Sequence, residues 1–471
     1  MPTTDPSATL ALQQLLDVLR LDVKDAGGPV EIVGGDFPQV SPHRLATTNA
    51  AAMAAHAVAI AAWCRMRGGR GQSIRIDTAR ALQALRSFFY LRQNGYPVTV
   101  ELHNAVSGFH RTADQRWIYV YGHEHFLAPV LDLLQVPNNL AAVDGAIGRC
   151  KSDELEEALA QRRVPTAIVR TGAEWLAHPH GRWLAARPVI EIEKIGDGRP
   201  EMPGPASEGR PLSGLRVLDL THVICGPMLS RFLGEHGADV LRVKPPHHRD
   251  TDIVAFDTGW GKRTALGDFR QAADMDVLQS LASGADIVVQ SYRPGALDRH
   301  GLSPAELAKR RPGLIYVSVS CFGADGPWGG RGGYDPIAQS AAGVAHTETV
   351  DGRPRQARTV TINDYLTAYL GAAGAVTALM RRARDGGSYH VKVTLTRSSM
   401  WLQSFGLLQG AEKFVHLPYA DPVAPMLSTQ ATPFGMMTSL SPGVEYSETP
   451  AYWQRPTEPA GASLPVWLPR G

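Results

Sequence analysis

A chain of 471 residues is longer than one ordinary hydrophobic core organises, so two or three packed units are expected. Apolar residues at 44% and charged residues at 20% exclude a disordered or fibrous chain, and a net charge of +2 leaves no electrostatic footprint for nucleic acid. The four cysteines, Cys64, Cys150, Cys225 and Cys321, are scattered without a CxxC pair, which argues against a zinc knuckle or a disulfide framework and suits a reducing compartment.

The chain opens "MPTTDPSATLALQQLLDVLR", with acids where a secretory leader would be basic, and "SATLALQQLLDVLR" has the i, i+3, i+4 spacing of an amphipathic helix. A helix built almost wholly of small residues follows near 44–67; its apolar run is mostly alanine, carries His56 and is too short to cross a bilayer. A cytoplasmic protein without a membrane partner is expected. "QSIRIDTARALQALRSFFYL" reads as an alternating strand running into a helix, and "RWIYVYG" as a strand. "SDELEEALAQRRV" is a charged helix with Ser152 as its expected N-cap. Pro, Gly and Glu then accumulate from Arg182 to Pro211, which makes this stretch the linker candidate.

Beyond the linker the apolar strands "LRVLDLT", "ADVLRVK", "ADIVVQSY" and "GLIYVSVSCFG" alternate with helices such as "GPMLSRFLGEHG", closed by Gly237. Such alternation predicts a parallel α/β sheet buried on both faces. The tail from Phe414 is Pro-rich and reads as turn and strand.

An internal repeat organises the whole. With Thr47 set against Asp364, an offset of 317 residues, Ala55 falls on Ala372, Arg65 on Arg382, Gly69 on Gly386 and Arg80 on Arg397 without a gap. Leu85 likewise meets Leu402, and Ser87-Phe88 meets Ser404-Phe405. Both copies read as small-residue helix, basic turn, alternating strand, helix. They differ at one chemically decisive position, Thr in the first and Asp in the second.

Familiar site motifs are absent: there is no G-x-G-x-x-G in the strand-turn-helix-strand unit at 214–243, no P-loop, no G-x-S-x-G and no H-E-x-x-H. The pairs His123/His125 and His178/His180 lie in polar turns, where solvated loop histidines are commoner than metal ligands, so no metal is expected.

The run "LSGLRVLDLTHVICGPMLSRFLGEHGADVLRVKPP" resembles the opening of the family III CoA-transferases, the CaiB/BaiF-like group of formyl-CoA and carnitine CoA-transferases. "GKRTALGDF", "ADIVVQSYRPGALDRHGLS", "PGLIYVSVSCFGADGPW", "GGYDPIAQSAAG" and "NDYLTAYLGAAGAVTALMRRARDGG" follow in family order, covering about Leu212 to Leu408. Residues 44–92 and 108–187 resemble the later helix and strand and the small domain of the same family, and the tail resembles its return strand. The resemblance therefore implies two truncated copies in tandem: 1–204 with a small domain at about 108–187, a Rossmann-like large domain at 205–408 that binds CoA, and a return segment at 409–471.

It further implies a transferase that moves CoA from an acyl-CoA to a carboxylic acid, with no tightly bound cofactor, and either a homodimer or an intrachain pseudo-dimer. Asp364 matches the family nucleophile, whose carboxylate forms an acyl anhydride and then a CoA thioester; unpaired N–H groups at the helix start would help keep it ionised. The plain alternative for Asp364 is an N-cap. Tyr334 matches a tyrosine beside the active site, and Arg242, Lys262, Arg263, Tyr292, Arg293 and Arg299 are the implied contacts for adenine and phosphates. Ile224 stands where formyl-CoA transferase carries glutamine, Lys244 where relatives carry an acid, and no glycine-rich covering loop follows Leu408. An acyl-CoA racemase and a CoA-binding pseudoenzyme remain the alternative expectations.

Overall fold

The computed structural model describes residues 6–99, 104–202, 204–206, 209–248, 250–414 and 417–470. Met1–Asp5 of the leader reading, Pro203, Ser207 and Glu208 of the linker candidate, and Val415 and His416 near the start of the tail lie outside them. The fold is α/β, with a large, mostly parallel sheet at its centre.

Seven strands build that sheet: β1 (Ile190–Gly196), β2 (Arg216–Leu220), β3 (Asp239–Lys244), β4 (Lys262–Leu266), β5 (Ile287–Gln290), β6 (Ile315–Ser320) and β7 (Ser388–Thr394). Their order is β4-β3-β2-β5-β6-β7-β1, parallel throughout except for β1, which runs antiparallel to β7. The six parallel strands have the doubly wound order, which reverses between β2 and β5. The connections that leave the carboxyl ends of those two strands diverge there and leave a crevice.

The repeat is physical. Helix α1 (Leu45–Met66) packs against its counterpart α4 (Ile362–Asp385), and the alanines of both meet with no solvent between them. By length and composition α1 could cross a membrane, yet its entire apolar window is buried inside the fold. The two glycines of α4 explain themselves by contact distance. A Cβ on Gly374 would lie 2.7 Å from Val391 and 2.9 Å from Ile190, and one on Gly371 would lie 2.3 Å from Leu229. In the first copy, strand Gly27–Val33 leads to α1 and then to the parallel strand Gln72–Asp77, as β6 leads to α4 and β7.

Each copy borrows its third strand from the other. β1 belongs by position to the first copy but closes the edge of the second copy's sheet, pairing Ile192 with Val391. Val444–Tyr446, near the end of the chain, closes the first copy's sheet, pairing Tyr446 with Ile74. The tail serves both halves: Trp467 donates to Leu281 at 3.0 Å, and Gly261 donates to Arg455 at 2.9 Å. The small domain has its own core of Val106, Ile118, Val120, Val143, Ile147, Leu155 and Leu159. These side chains sit between the antiparallel strands Gly108–Arg111, Trp117–Val120 and Thr166–Ile168 and the helices beside them.

Two local expectations are corrected. The linker candidate contains the end of helix Pro179–Ala185 and β1; the alternation in "IEIEKIG" outweighs the surrounding Pro and Gly because its isoleucines find a partner strand. Ser152 is the first helical residue of Ser152–Gln161 rather than its cap, and its hydroxyl donates to Asp114 at 2.7 Å.

One guanidinium makes several of the contacts that hold the rest of the connection between copies. Arg67, at the end of α1, donates to the carbonyls of Gly204 (2.8 Å), Pro205 (2.9 Å), Pro211 (2.7 Å) and Ser213 (2.9 Å). Arg67→Ala is expected to release this segment and speed tryptic cleavage at the buried Arg210 by on the order of tenfold. The two fragments are expected to stay together on size exclusion, because each completes the other's sheet. Unchanged cleavage, or fragments that separate, would count against this account.

Candidate active site

A cavity of about 480 Å³ opens at the point where the strand order reverses. Its walls are the turns after β2 (His222 to Gly226) and β5 (Ser291 to Ala296), the end of β6 with Cys321, the loop Arg331 to Tyr334, Asp364, and the facing side of the small domain. Tyr121, Phe126, Pro129 and Pro165 supply that facing side, and Arg162, Arg163, Arg293 and Arg331 are exposed or half-buried among the lining residues. Asp364 is buried in this wall, with 7% of its surface accessible.

The start of α4 is organised by a residue the sequence reading passed over. Asp335, the first residue of α3 (Asp335–Ala342), accepts the backbone N–H of Asn363 at 2.6 Å and of Asp364 at 2.9 Å. Gln339 also donates to Asp335 and, at 2.8 Å, to the carbonyl of Val360. Asp335 is thus the cap of α4, and Asp364 is not. The N–H groups expected to keep Asp364 ionised are spent on Asp335. Burial, and then the charge of Asp335, push the Asp364 carboxyl well above the ordinary carboxylate range; burial raises Asp335 itself to about 6.

The first copy preserves the same device. Asp36 accepts the N–H of Ala46 at 2.9 Å and of Thr47 at 3.1 Å, the positions that match Asn363 and Asp364. The Thr47 hydroxyl donates to the other Asp36 oxygen at 2.5 Å. Where one copy sets a carboxylate beside the capping acid, the other sets a hydroxyl that satisfies it.

The next residue of α4 ties the site to both halves. Tyr365 donates to Asp257 at 2.9 Å; the same carboxylate accepts Ser87 of the first copy at 2.5 Å and pairs with Arg231 at 3.0 Å. Two β-branched residues hold left-handed backbone beside the cavity, Val223 at φ 64° and Val360 at φ 69°. That conformation disfavours a branched Cβ, and it persists here in the turns that open α2 (Cys225–Gly234) and α4.

The expected site residues divide. Tyr334, Tyr292 and Arg293 line the cavity with Asp364; Tyr334 stacks on Tyr121 with centroids 4.2 Å apart, and Arg293 donates to the carbonyl of Arg163 at 2.6 Å. Lys262 does not reach the cavity. It is completely buried, bonding Asp219 at 2.9 Å and Pro227 at 2.5 Å, and burial lowers its ammonium to about 8. Arg263 is committed to Asp239 at 3.0 Å and to the tail carbonyl of Val466 at 2.8 Å. Arg242 lies behind the wall on Asp250 at 2.8 Å, which Lys244 shares at 2.5 Å, and these cations hold the Asp250 carboxyl at about 2 against its burial. Arg299 is exposed and outside the cavity, with His300 as its neighbour at 3.1 Å.

Three residues were not recognised as lining the cavity: His222, Cys225 and Cys321. His222, on the β2 turn, is kept neutral by burial at about 4 and lies 3.3 Å from the Ser291 hydroxyl. Cys225 and Cys321 flank the carboxylates, but burial pushes both thiols up, so neither is a ready thiolate. The pair His178/His180 sits among Trp175, Trp183 and Trp328 instead of in a solvated turn. Among the described residues no cluster of three or more His, Cys, Asp or Glu is arranged to hold a metal ion.

Known proteins resemble this chain in the same two-part manner. It is 30% identical over 326 residues to the acetyl-coenzyme A transferase nodX of Hypoxylon pulicicidum, covering 63% of this chain and 54% of that protein. It is 27% identical over 242 residues to the succinyl-CoA–L-malate CoA-transferase alpha subunit of Chloroflexus aurantiacus (46% and 56%), and 31% identical over 203 residues to the acetyl-CoA:oxalate CoA-transferase of Acetobacter aceti (41% and 52%). The chain spans about half the length of these curated relatives. A CaiB/BaiF family protein from Brucella suis is a solved neighbour, with 25% identity, a TM-score of 0.38, and coverage of 48% of this chain and 65% of that one. Residues 23–206 and 212–425 each match CoA-transferase family III, and the chain belongs to that family.

Proposed function

We propose that the chain is a CoA-transferase that works through Asp364. The observation carrying this reading is the placement of that carboxylate: buried, facing the cavity, and relieved of the capping task by Asp335. A deprotonated Asp364 attacks the thioester carbonyl of an acyl-CoA, the C–S bond breaks, and an acyl–aspartyl anhydride and CoA thiolate result. The thiolate attacks the aspartyl carbonyl, which expels the donor acid and leaves a CoA thioester on Asp364. An acceptor carboxylate then reverses the two steps and leaves as a new acyl-CoA. Atoms balance with no further reagent.

The wall contributes in three ways. Cys225 and Gly226, the first residues of α2, line the cavity, so the positive end of that helix can stabilise carbonyl oxygens that gain charge. Tyr334, stacked on Tyr121, limits where the thioester can lie. Arg293 and the neighbouring arginines offer guanidinium groups to the CoA phosphates, with Tyr292 as a planar surface for adenine. The four free cysteines agree with a cytoplasmic setting.

Hydroxylamine trapping of the acyl-CoA-treated protein, mapped by mass spectrometry, is expected to mark Asp364. Asp364→Ala should abolish the adduct and lower turnover by at least about a thousandfold, whereas Thr47→Ala should stay within about twofold. An adduct that survives Asp364→Ala would remove the assignment, and solvent deuterium at the substrate α-carbon without an adduct would favour a racemase instead.

The raised carboxyl also affects stability. A folded-state value above the unfolded one means that the native protein binds the proton better, so stability falls as pH rises through the interval. Asp364→Asn is therefore expected to raise Tm at pH 8, with the gain shrinking toward pH 4; no gain at pH 8 would contradict the burial argument. Asp335→Asn removes the neighbouring charge and should move the acid limb of kcat/KM to lower pH. An unmoved limb would dissociate the two groups.

A further inference from the structure

Resting on that reading, we infer that the acyl group of the CoA donor is uncharged: the site takes thioesters of aliphatic or aromatic monocarboxylic acids and rejects those of dicarboxylic acids. The cavity is graded by burial. Its cations, Arg162, Arg163, Arg293 and Arg331, are exposed or half-buried, and Arg331 is already paired with Glu157 at 2.5 Å. The fully buried wall that accompanies Asp364 consists of Ile224, Cys225, Gly226, Val319, Cys321 and Leu395. No Lys or Arg belongs to that wall. The nearest buried cations, Arg231, Arg242, Lys244 and Lys262, lie outside the lining and are committed to Asp257, Asp250 and Asp219.

A second carboxylate on the acyl chain would thus enter a buried apolar wall without a partner. It would also face Asp364 in the lining, whose carboxyl already feels the charge of Asp335. Burying an unpaired charge costs far more than a hydrocarbon wall returns, and like charges add to that cost. A methyl or phenyl terminus meets none of these penalties and gains apolar burial. Specificity of this kind works by exclusion, since the wall has no feature that measures chain length closely.

The test is a panel of acyl-CoA donors of matched length, butyryl-CoA against succinyl-CoA and benzoyl-CoA against phthaloyl-CoA, with acetate as common acceptor. The expected result is kcat/KM at least about a hundredfold higher for the uncharged member of each pair. Equal values, with the hydroxylamine adduct still mapped to Asp364, would overturn the inference and leave the transferase reading standing. Absence of an Asp364 adduct with every donor would overturn the reading beneath it. Ile224→Arg places a cation in the wall and should narrow the succinyl-to-butyryl gap at least tenfold, and an unchanged gap in a folded variant would count against the inference. Should that variant not fold, the wild-type ratios alone decide.

Discussion

The helices α1 and α4 pack against one another with the alanines of both buried, while Gly371 and Gly374 let α4 lie close to Leu229, Val391 and Ile190 on its other side. Everything else is arranged around that contact. α1 packs on the first copy's sheet and α4 on the second copy's, and the strand at one edge of each sheet comes from another part of the chain. β1 and Val444–Tyr446 cross over to fill the two edges, so the pairing of the helices and the exchange of strands are one constraint seen twice. Small residues carry little rotamer entropy, so burying them this deeply costs less order than burying long side chains would.

The same pseudo-symmetry shows how a reactive group is set apart from its surroundings. In both copies an aspartate from outside the helix accepts the backbone amides of its second and third residues. In the first copy the third side chain is a hydroxyl, which donates to that aspartate and closes the network. In the second it is another carboxylate, which can donate only when protonated and is otherwise left with its charge unbalanced. One substitution therefore separates a satisfied helix start from one held at high energy. Such local cost is common where chemistry is done, and here the surrounding packing sustains it.

Much of this was legible in the sequence. The apolar strands, the repeat at an offset of 317 residues and the position of Asp364 follow from periodicity and matched residues. The capping acids were not legible, for a geometric reason. Asp36 lies eleven residues before Thr47, whereas Asp335 lies twenty-nine before Asp364, so a gapless comparison cannot set one against the other. Lys262 and Arg263 were misread because a cation in a strand looks alike whether it faces a ligand or an internal carboxylate. Only the fold reveals Asp219 and Asp239 beside them. The strand β1 was hidden by composition: proline and glycine on its flank outweighed four residues of clear alternation.

The crossing strands also bear on how the chain is made. A ribosome releases Gln72–Asp77 early, with one edge lacking a neighbour, and β1 emerges before any strand it can pair with. The strand that covers Gln72–Asp77 is synthesised only after the second copy's sheet strands. For most of its synthesis the first copy therefore presents open strand edges and an apolar helix, α1, whose partner does not yet exist. The small domain has its own core, but the sheet of the first copy is complete only once Val444–Tyr446 has joined it.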